Sequence, residues 1–150
     1  MKDAFGGILN LAFVVVFLVL VSGILGMIVN YTKAFRMKNF IISSIEQYES
    51  YGCFSGNSLY SDSDCKKKIK ESAESIGYHP VRVNCPDATY SLNDSIDTFF
   101  CYKENTSESG KYYSIVTQVD INIPIIRNIL GLSFFQVHGD TRIINTRYHK

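Results

Sequence analysis

The sequence predicts an α+β protein in which a long N-terminal helix, half membrane-crossing and half amphipathic, packs on a small antiparallel sheet. Three observations carry this expectation. Ile8 to Val29 is apolar apart from Asn10 and Ser22. Asn30 to Tyr51 holds neither Gly nor Pro and repeats apolar residues at helical steps. From Val81 onward, short segments rich in β-branched and aromatic residues alternate with polar turns.

At about 1.5 Å per residue, Ile8 to Val29 is long enough to cross a hydrocarbon core of about 30 Å as one helix. A cleaved signal peptide competes with this reading, but its apolar region is usually only about 7–15 residues. The segment Ser22-Gly23-Ile24-Leu25-Gly26 offers the small residues of a cleavage site, yet the apolar run continues through Met27-Ile28-Val29. A retained anchor is therefore expected, dividing the chain into a leader-like 1–7, a spanning 8–29 and a head over 30–150. The head has the size of one ordinary domain. A formal net charge of +1 gives no basic excess for nucleic acid.

Two signals disagree about which side of the membrane holds the head. Lys33, Arg36 and Lys38 follow the span, whereas Lys2 and Asp3 precede it, so the positive-inside rule places the head in the cytoplasm. The four cysteines point the other way. Cys53, Cys65, Cys85 and Cys101 are even in number, widely spaced and free of any C-x-x-C pair, which fits two disulfides in an oxidising compartment. The cysteines weigh more, because long cationic stems on a continuing helix reach lipid headgroups from either side. An extracytoplasmic head is expected. Sequential pairing, Cys53 with Cys65 and Cys85 with Cys101, closes the shortest loops.

Beyond the span, Ala34, Met37 or Lys38, Ile41, Ile45 and Tyr48 form a stripe, with Gly52 as the expected stop. Asp62-Ser63-Asp64 can cap a second helix over Cys65 to Ile76, its inner face Ile69, Ala73 and Ile76, its solvated face Lys66-Lys67-Lys68 and Lys70, its end Gly77. Strands are expected at Val81 to Val83, Thr98 to Tyr102 and Tyr113 to Ile123. In the last, Tyr113, Ile115, Val119, Ile121 and Ile123 share a face. Asn105 to Gly110 is the expected hairpin turn. Ile125 to Leu132 is too short to specify a helix, and Gly139-Asp140 signals a turn between terminal strands Phe134 to His138 and Arg142 to Asn145.

Within the span, Ala12, Val19, Gly23, Gly26 and Asn30 fall close to one stripe, and Ser22-x-x-x-Gly26 is a small-xxx-small match. Small residues let helices approach closely in lipid, although Gly is also simply common there. Asn10 either hydrogen-bonds across helices or sits near the headgroups.

A short leader ending in Gly6-Gly7, a spanning segment directly after it, an unbroken amphipathic continuation and a disulfide-bearing α+β head together resemble the type IV pilin-like proteins. The nearest resemblance is to TadE-like minor pilins of the tight-adherence pili of Gram-positive bacteria. The tail Asp120-Ile121-Asn122-Ile123-Pro124-Ile125-Ile126, then Gly131, then Phe135-Gln136-Val137-His138-Gly139-Asp140-Thr141-Arg142, looks like the closing strands of such proteins. The resemblance implies leader processing at Gly6 or Gly7, with other pilin-like subunits, the pilus assembly machinery and the lipid bilayer as partners. Pilins usually carry Glu at the fifth position after the processed Gly, which here is Ala12. That departure implies a minor or initiating subunit. The competing reading is a monomeric, membrane-anchored extracellular binding or sensor domain.

No catalytic, metal or cofactor site is expected. His79, His138 and His149 lack metal-ligand spacing, and neither a G-x-S-x-G elbow nor a phosphate-cradling loop occurs.

Overall fold

The computed structural model describes residues 2–50, 53–54, 64–80, 83–93, 100–121, 131 and 133–144. Two helices, α1 (Lys2–Gln47) and α2 (Asp64–Ile76), precede four strands, β1 (Ser91–Asn93), β2 (Phe100–Ser107), β3 (Gly110–Asp120) and β4 (Phe134–Asp140). The strands form one antiparallel sheet in the order β1-β2-β3-β4. The fold is the expected α+β arrangement, a long N-terminal helix laid on a four-stranded sheet.

The core forms where the distal half of α1 meets the sheet. Ala34, Met37, Ile41 and Ile45 are fully buried at three- and four-residue steps, so the stripe read from sequence is the packing face. From α2, Cys65, Ile69 and Ala73 join them, and the helix-facing side of the sheet supplies Phe100, Tyr113, Ile115, Val119 and Val137. Thr117 lies on the same side, and its hydroxyl donates to the Ala34 carbonyl at 3.1 Å.

The outer face of the sheet is covered too. Val116 and Cys101 are buried under Val83, Cys85 and Tyr90, a segment held by the Cys85–Cys101 disulfide and by two glutamines. Gln118 Oε1 accepts from the Asn84 N–H at 2.9 Å, and Gln136 Nε2 donates to the Asn84 carbonyl at 2.7 Å. Cys53 and Cys65 form the other disulfide, tying the end of α1 to the start of α2. Both bridges follow the shortest-loop pairing.

Several boundaries differ from expectation. The first helix stops at Gln47, before Tyr51 and Gly52, both outside the described residues. Left-handed Glu49 and Ser50 (φ 49° and 66°) turn the chain, and the Ser50 N–H reaches back to the Ile45 carbonyl at 2.8 Å. A hydrogen-bonded cap thus forms without the glycine usual there. The second helix ends as expected: Gly77 has φ 68°, Tyr78 N–H bonds the Ala73 carbonyl at 2.9 Å and Gly77 N–H the Glu74 carbonyl at 3.1 Å.

The β2–β3 turn is tighter than Asn105 to Gly110. Asn105, Thr106 and Ser107 pair with Tyr112, Lys111 and Gly110, leaving Glu108 and Ser109 as the turn. Gly139-Asp140 is no turn at all, because β4 runs through it, paired with Ile115 and Ser114. The glycine is needed for contact. A Cβ at Gly139 would lie 2.8 Å from Ile42 Cδ1 and from Lys38 Cδ, so its absence lets α1 press directly on β4. Arg142 continues outside any strand, and Ile144 forms only an isolated bridge with Lys111. The short β1 was not anticipated, and Val83 lies outside any strand. The expectations at Asp62-Ser63, Val81-Arg82, Thr98-Phe99, Ile123, Ile125 to Leu130, Leu132, Asn145 and His149 lie outside the described residues.

Candidate functional site

Among the described residues, the proximal half of α1 meets the head only at its upper end. Every large apolar side chain from Ile8 to Val21 is exposed, as are Ile24, Leu25, Ile28 and Val29. This is one helix long and apolar enough to cross a membrane, and an all-round apolar helix requires an apolar surrounding. Hydroxyls within it bond their own backbone: Ser22 Oγ donates to the Leu18 carbonyl and, just above, Thr32 Oγ1 to the Ile28 carbonyl, each at 2.8 Å. Asn10, Ala12 and Val19 are exposed, and Gly6 and Gly7 each have open space around them.

The upper part of the small-residue stripe lies against the head instead. β3 runs down α1 toward the span, so its last residues arrive beside Ser22, Gly23, Gly26 and Met27. Gly23 and Met27 are half-buried, while Gly26 keeps open space where a side chain would be. A hollow between them is closed on the sheet side by Val119, Asp120 and Ile121.

A second hollow continues it upward. Asn30, Val119 and Asp120 line both, and above them stand Lys33, Tyr78, His79 and Gln118. α2 creates this wall. Tied to the distal end of α1 by Cys53–Cys65, it runs back antiparallel, so its cap at Gly77 comes down to Lys33, whose Nζ lies 3.5 Å from the position a Gly77 Cβ would take. His79 follows two residues later.

Tyr78 makes the wall rigid. Gln118 lies two residues beyond the last β2–β3 pair, Cys101 with Val116. The Tyr78 hydroxyl stands in for a strand there, donating to the Gln118 carbonyl and accepting from its N–H, both at 3.0 Å. Burial pushes this hydroxyl's pKa from 10.0 up to about 12, the hydrogen bond to the Gln118 backbone opposing and nearby Asp120 adding to the rise. Gln118 Nε2 donates to Asp120 Oδ1 at 2.9 Å, fixing the carboxylate at the junction of the two hollows. Asn30, Lys33 and His79 have no side-chain partner among the described residues.

The sequence puts Ala12, Val19, Gly23, Gly26 and Asn30 close to one stripe and pairs Ser22 with Gly26; of these, Ala12 and Val19 lie below the lower hollow, while Ser22, Gly23, Gly26 and Asn30 line it. Their juxtaposition with Tyr78, His79 and Asp120 was missed, since it depends on the return path of α2 and the direction of β3. The early signal was that Asn30 and Lys33 follow directly on the apolar run, Asn30 being its first polar residue and Lys33 its first cation, at the level where a spanning helix meets headgroups.

Lys38, one of the three cations flanking the span, is built into the head. It is only 9% exposed, its stem packs at Gly139 and its ammonium lies 4.4 Å from the Phe35 ring centre. Elsewhere in the head, all four cysteines are in disulfides. His79 and His138 are exposed, and among the described residues no group of three or more His, Cys, Asp or Glu side chains gathers as for a metal ion. In comparisons with protein-family models, curated proteins and solved structures, nothing matches this chain.

Proposed function

We propose that the chain is a non-enzymatic, single-pass membrane protein with its head outside, assembling with pilin-like subunits through its N-terminal helix in a surface pilus or secretion apparatus. The observation that carries this reading is the continuity of α1. One helix of 46 residues serves as the core wall of the head and, without a break, as an apolar stem. A stem exposed all round from Ile8 to Val21 must be covered by lipid or by other helices. Building the same helix into the head makes it a rigid means of carrying a folded domain into an assembly. The two disulfides support the outward orientation. Lys38 is spent on packing against Phe35 and Gly139, which weakens the charge signal for a cytoplasmic head.

Asn10 and Ala12 are the residues that test assembly, because they lie below every contact that the described residues of the head make with α1. A photoactivatable side chain at Val19 should cross-link to a neighbouring pilin-like helix in intact cells. In the double variant Asn10→Leu, Ala12→Leu, membrane abundance should stay normal while cross-linking falls, since one interhelical hydrogen bond of roughly 0.6–2 kcal/mol and a close approach are removed. Unchanged assembly in that variant would leave the monomeric anchored domain as the better reading. Orientation is checked separately with an impermeant probe directed at the exposed Glu108-Ser109 turn.

A further inference from the structure

The two hollows at the base of the head form one trough whose chemistry changes along α1. Its upper end offers the Lys33 ammonium, the Asn30 amide and the His79 imidazole, none with a partner among the described residues. Its lower end, below Asn30 and Asp120, is walled mainly by carbon from Gly23, Gly26, Met27 and Ile121, the Ser22 hydroxyl there being bonded to the Leu18 carbonyl. From Ser22 to Lys33 is about 16 Å along the helix, enough to reach from the headgroup layer into the edge of the hydrocarbon. If the apolar run spans a bilayer, the trough stands at that boundary.

We propose that this trough holds one phospholipid molecule, its phosphate against Lys33, Asn30 and His79 and the first part of its acyl chains along Gly23, Gly26 and Met27. The proposal rests on the membrane-anchor part of the functional reading and is independent of assembly. A polar-to-apolar gradient of this sense matches an amphiphile, whereas a water-soluble phosphoester would leave the lower hollow unfilled. Asp120, held by Gln118, sets a carboxylate at the middle of the trough. Tyr78, bonded twice to the Gln118 backbone, fixes the segment that carries His79 against β3.

The full chain, extracted in mild detergent and stripped of lipid, is offered phosphatidylethanolamine, diacylglycerol or glycerophosphoethanolamine, and the bound species are read by native mass spectrometry. The expected result is one phosphatidylethanolamine retained, with diacylglycerol and glycerophosphoethanolamine both weaker by roughly tenfold or more, the scale of losing a hydrogen bond to a charged group or an apolar contact of comparable size. Lys33→Gln should weaken retention by a similar factor. Gly26→Leu should do the same by filling the lower hollow; its Cβ would have nothing within 4 Å, and an unchanged melting temperature of the head is the check that the rest of the side chain is accommodated. Equal retention of diacylglycerol, equal binding of glycerophosphoethanolamine, or full retention in Gly26→Leu would each overturn the proposal. A chain released from membranes by alkaline carbonate would overturn it together with the anchor reading. Loss of pilin-like cross-links, by contrast, would leave it standing.

Discussion

Apolar side chains of the same kinds in the two halves of α1 meet opposite fates. Ile41 is fully buried between the sheet and α2, whereas Leu18, on the same helix, is 58% exposed. What separates them is pattern. In the distal half, Thr32, Arg36, Asn39, Ser43 and Gln47 interleave with the buried stripe, so one face is wet and the other dry. In the proximal half no polar face exists, and none of the described residues covers Ile8 to Val21. Burial in this helix is thus decided by what surrounds each residue, and a substitution reads out differently on either side of Asn30.

The comparison is broken most directly by truncating one side chain in each half. Ile41→Ala should cost the head about 2–5 kcal/mol, combining lost transfer energy with a cavity. Leu18→Ala should leave head stability unchanged when the detergent-solubilised full chain is unfolded with urea. Equal losses would mean that the halves share one core. Next in size are the disulfides: replacing Cys53 and Cys65 by Ser should cost about 3 kcal/mol in the chain-entropy model. The same holds for Cys85 and Cys101, and neither replacement should alter the helicity of the stem by circular dichroism.

Alkaline titration sharpens the contrast further, because it acts on the head through Tyr78. Its folded pKa lies above the unfolded value, so its contribution is fully present below pH 10.0 and is lost as pH rises toward about 12. That rise corresponds to roughly 2–3 kcal/mol. Tyr78→Phe should flatten the stability profile between those pH values; an unchanged slope would show that the hydroxyl is not buried as described. The smallest effect comes from two glycines. Gly139→Ala should destabilise by about 1 kcal/mol, the low end for overpacking, because the atoms it meets are the flexible ends of Ile42 and Lys38. Gly26→Ala meets nothing within 4 Å and should leave the head's melting temperature where it was.

Legibility followed the same division. The stripe Ala34, Met37, Ile41 and Ile45 was readable because helical periodicity is local, and the disulfide pairing because short loops were the simplest closure. β4 runs past His138, where the turn-like pair Gly139-Asp140 suggests an end, because the glycine answers to α1 across the core. Burial of Val116 and Gln118 was invisible because the covering segment from Val83 to Tyr90 has no regular repeat. The trough was hidden for a related reason: Lys33, Tyr78 and Asp120 are far apart in sequence, and only the fold brings them together.

An unbroken α1 also makes the protein a lever. No proline interrupts the helix between Lys2 and Gln47, and Met37 and Ile41 lock its distal half to the sheet, so the head cannot hinge freely at Asn30. From Asn30 to Gln47 is about 25 Å of helix. A spanning helix tilted by about 20° from the bilayer normal would carry that distal end about 9 Å sideways. Bilayer thickness, which sets tilt, would then be read out as lateral displacement of the disulfide-braced tip at Cys53.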